Sequence, residues 1–159
     1  MLKRIVAFAL LVAALLSLFS CTADKEHRVS ELVITVPKNF EVISDNPNAD
    51  LTLSNGEATI AVTRLSYESE SIPGPVTVTV FAEQFIENLG LDATVYKYGD
   101  IAYATYYSKS GGASLFSTVA FVRSPYAYFM LLFSTSEAGE GEWRERFLEL
   151  ADGVYFDVG

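Results

Sequence analysis

The side chains that could do chemistry in this chain are few. Cys21 is its one thiol and His27 its one imidazole. That leaves no disulfide framework and no multi-thiolate zinc site, and a Ser-His-Asp triad would have to be built on His27. Carboxylates recur as Glu68 with Glu70 and Glu140 with Glu142, pairs that could supply an acid and a base; both lie in polar segments where solvated carboxylates are expected. Asn46, Asn48, Asp50, Ser54 and Glu57 occupy positions 1, 3, 5, 9 and 12 of a calcium-loop frame. Leu51, however, stands where that loop requires glycine, and a hairpin at Asn55-Gly56 accounts for the same residues. Ser108-Lys-Ser-Gly-Gly112 lacks the order of a phosphate-cradling loop. No catalytic residue, metal ligand or cofactor site is assigned, and the expectation is that the chain is not an enzyme.

Tyrosines form the remaining group: Tyr96, Tyr98, Tyr103, Tyr106 and Tyr107. On two adjacent strands they would occupy both parities, so some rings must face each side of a sheet. Sheet tyrosines are core residues with hydroxyls at the rim; exposed together they would form a binding patch. Tyr96, Tyr98 and Tyr106 are the candidates to touch a partner.

Charge narrows the partners. Twenty acidic against 11 basic side chains give −9, which argues against nucleic acid, whose phosphates need Lys and Arg. Half of the residues are hydrophobic and 13% aromatic, enough for a packed core, and the length suits a single domain.

The N-terminus reads as a separate object. Lys3 and Arg4 precede an uncharged run from Ile5 to Ser20, short for a spanning helix of about 20 residues and suited to a signal h-region. Leu18-Phe19-Ser20-Cys21 resembles the bacterial lipobox. The resemblance implies a signal peptide over 1–20, a diacylglyceryl group on the Cys21 sulfur, and an acylated anchor in a bacterial cell membrane, facing outward or in an outer-membrane leaflet. An ordinary secretory signal or an uncleaved anchor are the other readings. Losing residues 1–20 removes two bases and no acid, taking the net charge from −9 to −11; such a body is repelled by anionic lipid. Residues 21–30 read as the lipidated cysteine with a polar tether, His27 solvated within it, and 31–159 as one globular domain.

Elements follow from pattern. Glu31–Val36 is β-branched and reads as a strand, with Phe40–Ile43 extended. Leu51–Ser54 and Glu57–Leu65 flank Asn55-Gly56, the preferred pair of a type I′ hairpin. Phe81, Phe85 and Leu89, with Gly90 after them, predict a helix over about 78–89. Strands follow at 93–98 and 101–107 around Gly99-Asp100, a loop at 108–113, and two long strands at 114–122 and 126–133. These last are apolar at consecutive positions and must be covered on both faces. Trp143, Phe147 and Leu150 mark a second helix ended by Gly153, and Val154–Val158 is a strand or tail. The fold class is α+β: a three-layer α/β/α sandwich with a central antiparallel sheet.

That order resembles the Mog1/PsbP-like sandwich, through Ile34-Thr-Val-Pro-Lys-Asn-Phe-Glu-Val42, Phe81-x-x-x-Phe85, Tyr98-Gly-Asp-Ile-Ala-Tyr103, and the Tyr126–Ser134 strand before a Trp-bearing helix. Among envelope lipoproteins, the DcrB-like kind is similar. The resemblance implies mostly non-enzymatic accessory and binding proteins and carries over no functional residue. The expected function is a membrane-anchored, non-catalytic binding or accessory module of the bacterial envelope, its unknown partner a protein or, less favoured, a small apolar ligand. An envelope hydrolase using acidic residues and a purely structural lipoprotein are the alternatives.

Overall fold

The computed structural model describes residues 24–43, 46–67 and 76–159. In chain order they form β1 (Asp24–Val29), β2 (Leu32–Pro37), β3 (Glu41–Val42), β4 (Leu51–Ser54), β5 (Ala58–Ser66), α1 (Val78–Asn88), β6 (Tyr96–Tyr98), β7 (Ile101–Ser110), β8 (Ala113–Arg123), β9 (Ala127–Ser136), a 3₁₀ turn (Glu137–Gly139), α2 (Glu140–Asp152) and β10 (Tyr155–Phe156). A seven-stranded antiparallel sheet runs β3-β4-β5-β9-β8-β7-β6, and a separate three-stranded sheet runs β1-β2-β10.

The large sheet is apolar on both faces, as its consecutive hydrophobic residues demand. Phe116, Ala120 and Val122 of β8, with Phe129, Leu131 and Phe133 of β9, point to one side; Val119, Phe121 and Tyr128 point to the other. On the second side α1 lays down Phe81, Ala82 and Ile86. Phe81 stacks on Tyr128 at 3.9 Å, and the Tyr128 hydroxyl donates to Val76 O at 2.6 Å, pinning the helix entrance. Thr77 caps α1 through its hydroxyl, and the helix closes with Gly90 N–H on Glu87 O and Leu91 N–H on Ile86 O, the paired bonds of a Schellman end.

The first side is covered by α2 through Trp143, Phe147 and Ala151, and by the small sheet through Leu32, Ile34 and Val36, all fully buried. The opening strand is thus no member of the central sheet. The result is a sandwich about a central antiparallel sheet, with one cover a helix and the other a helix beside a second sheet.

Three local expectations are corrected. Asp24–Val29 is a strand paired residue for residue with β2, not a solvated tether, and His27 within it is only 9% exposed. The hairpin at Asn55-Gly56 is not type I′: the register Ser54↔Thr59 puts Gly56 and Glu57 at its tip, and only Gly56 has positive φ, +88°. Asn55 instead uses its side-chain oxygen to accept from the N–H groups of Glu57 and Ala58. The pair with positive φ at both central positions is Gly111-Gly112, at +58° and +86°, where β7 and β8 close at Ser110↔Ala113. The 108–113 loop is therefore a two-residue turn between longer strands.

Candidate binding surface

Edge strand β6 pairs with β7 so that Tyr96 lies opposite Tyr103 and Tyr98 opposite Ile101. Directly opposed residues share a face, and alternation along β7 carries that face on to Thr105 and Tyr107. It is the face that α2 covers at β8 and β9, but α2 ends its cover there. Beyond it Tyr96, Tyr98 and Tyr107 remain 54%, 43% and 58% exposed. Tyr103 is half-buried between them, its ring 5.7 Å from that of Tyr96. Tyr107 packs 5.7 Å from Phe116 and donates its hydroxyl to Glu140 Oε2 at 2.7 Å. The result is a tyrosine-bearing margin along β6 and β7.

Open cavities flank the margin. One of about 540 Å³ is lined by Asp100, Ile101, Asp152 and Tyr155 among others; one of about 350 Å³ lies against Tyr107, Lys109, Ser114 and Glu137. Tyr155 itself is 44% exposed and was invisible as a surface residue in a segment that reads equally as strand or tail. Glu140 ties the margin to α2: hydrogen bonds from Tyr107 and Arg144 lower its carboxyl, and the same bond raises the Tyr107 phenol. Arg144 in turn lies over the Phe116 ring at 4.6 Å.

The structure does not bring all the candidate tyrosines together. Tyr106 has the opposite parity and packs half-buried with the α1-side cluster, where burial raises its phenol. It is separated from Tyr96 and Tyr98 by the sheet itself.

The remaining polar candidates are dispersed. In the calcium-loop frame, Asn46 caps Asn48 N–H and Asp50 accepts from Arg64 N–H at 2.7 Å, while Ser54 caps the hairpin. Among the described residues no group of three or more His, Cys, Asp or Glu side chains could hold a metal. Glu140 and Glu142 make i,i+4 ion pairs with Arg144 and Arg146. Glu68, Glu70 and Cys21 lie outside the described residues.

A carboxylate that no sequence pattern singles out is held inside. Glu31, at the head of β2, is 8% exposed; it accepts from the Ser124 hydroxyl at 2.6 Å and from Arg64 Nε at 3.3 Å. Burial pushes its carboxyl up, but the bonds from Ser124 and Ser30 and the charge of Arg64 outweigh it and hold it at about 2. Ser124 also accepts from Tyr126 and Ala127 N–H, so the carboxylate clasps the small sheet to the β8–β9 turn.

No family model matches the chain, and neither does any curated protein. Solved structures do. The solution structure of cyanobacterial PsbP from Synechocystis sp. PCC 6803 superposes with a TM-score of 0.58 at 10% identity, over 86% of this chain and 94% of that one. The Ran-binding protein Mog1p of Saccharomyces cerevisiae gives 0.53 at 11%, over 85% and 96%. LpqN of Mycobacterium tuberculosis, described as involved in cell envelope biogenesis, gives 0.50 at 13%, over 82% and 88%. At these identities the likeness is one of architecture, and this chain shares the PsbP/Mog1-like fold.

Proposed function

We propose that this chain is a lipid-anchored, non-catalytic binding module of the bacterial envelope, attached through Cys21, that docks a protein partner on the Tyr96–Tyr98–Tyr107 margin. The observation that carries the reading is the exposure of three tyrosines on one face of an edge hairpin, where large amphipathic rings cost little entropy to order against a partner. Among the described residues the outer edge of β6 pairs with no strand, offering backbone groups that a partner's strand could meet. Three of the described carboxylates, Glu31, Glu140 and Glu142, each hold an intramolecular partner. Among the described residues no helix is long and apolar enough to cross a membrane. The neighbours fit the same reading, one binding the protein Ran and one acting in envelope biogenesis.

Two experiments separate the parts of this reading. Radiolabelled palmitate should be incorporated by the full chain and not by Cys21→Ser; incorporation in that variant would contradict the anchor. Formaldehyde crosslinking of membranes should yield a defined adduct that the Tyr96→Ser, Tyr98→Ser, Tyr107→Ser variant loses while its circular dichroism stays unchanged. An adduct that survives those substitutions would contradict the margin as the docking site.

A further inference from the structure

We infer that β1 is a strap released by acid: protonation of His27 detaches Asp24–Val29 from β2 while the rest of the fold stays in place. Three observations carry it. First, among the described residues β1 is an edge strand whose backbone ladder is with β2 alone, and its composition, Asp-Lys-Glu-His-Arg-Val, has almost no intrinsic strand preference. Second, its inward contribution is two side chains, His27 and Val29; the others are exposed. Third, the His27 Nε2 is buried and has no hydrogen-bond partner among the described residues. The ring lies opposite Ile34 on the face that holds Leu32 and Val36, an apolar surround that tolerates a neutral imidazole and penalises a charged one.

The surrounding charges offer no relief. Lys25, on the same side of β1, is the charged group that acts on His27, and it repels the imidazolium. Asp24, Glu26 and Arg28 have the opposite parity; Glu26 accepts from the Tyr155 hydroxyl and Arg28 pairs with Asp157. Arg146 and Glu149 of α2 line a groove with Asp24, Thr35 and Pro37 on that outer face. Glu31, at the β1–β2 turn, is engaged by Ser124 and Arg64. Among the described residues no carboxylate is thus placed to stabilise the protonated ring. Burial and Lys25 both lower its pKa from 6.5. The sign follows: the detached strand takes up a proton near pH 6.5 and the docked strand only at lower pH, so docking is strongest above 6.5 and weakens as pH falls from there.

The consequence for reach rests on the anchor at Cys21; the strap does not. Docked, β1 leaves two residues, Thr22 and Ala23, between Cys21 and the fold, at most about 7 Å of chain. Released, residues 22–30 span up to about 30 Å, lifting the tyrosine margin from the bilayer.

The test uses the full chain in detergent, where lipid attachment has no bearing on the readout. The single imidazole gives an unambiguous NMR signal, expected to titrate below 6.5. Protection of the β1 amides against hydrogen exchange, corrected for intrinsic rate, falls by up to about tenfold per pH unit below 6.5, with β9 amides unaffected. In His27→Leu, which keeps the apolar contact, β1 protection is flat from pH 5 to 7.5. Titration of His27 at or above 6.5, equal loss of protection in His27→Leu, or loss from β1 and β9 in step would each overturn the strap.

Discussion

Glu31 is a carboxylate inside a protein that has 20 acidic side chains, and its role follows from its partners rather than from chemistry it could perform. With its carboxyl held at about 2, below the ordinary value near 4.5, its contribution to stability is fully present above pH 4.5 and is lost as pH falls from there towards 2. Glu31→Gln should therefore lower the unfolding free energy at pH 7 by about 2 kcal/mol, the usual scale for charged hydrogen bonds, and the difference from wild type should vanish in urea titrations near pH 2. The tyrosines behave oppositely. Tyr96→Ser with Tyr98→Ser removes exposed rings from an edge, so stability should change by only about 0.5 kcal/mol even as partner capture fails. Neither role was legible as such. Glu31 meets Ser124 across 93 positions of chain, a relation that no local pattern encodes, and the exposure of Tyr96 depends on where α2 ends its cover.

Elements were legible where a period or a turn residue forced them. α1 spans Val78–Asn88 because three apolar residues recur at helical spacing before a glycine, and β8 and β9 are two-sided as their consecutive apolar residues require. Replacing Phe81 with Ala should cost about 3–5 kcal/mol, since the ring stacks on Tyr128 and also meets Phe121; thermal unfolding measures this. The turns divide on finer chemistry. Asn55-Gly56 has the favoured dipeptide but shifts the tip by one residue, because Asn55 bonds through its side chain. Gly111-Gly112 takes the left-handed geometry at both positions, so Gly112→Val should destabilise by about 1–2 kcal/mol. β1 escaped detection for a different reason: its strand state is conferred by pairing with β2 and by two inward side chains, not by propensity.

At the scale of the molecule, a large sheet apolar on both faces needs two covers, and the chain supplies them asymmetrically. α1 covers one side; α2 and the small sheet share the other and leave the β6–β7 margin bare. The same asymmetry places aromatic surface where a partner can reach it, on a body whose net charge of −9 disfavours nucleic acid and anionic lipid alike. A photo-crosslinking residue read in intact membranes tests this most directly. Benzoylphenylalanine at position 98, on the margin, should give one defined protein adduct, and at position 83, exposed on α1 across the sheet, none. Adducts of equal yield from both positions, or an adduct from position 83 alone, would contradict the margin as the face that binds.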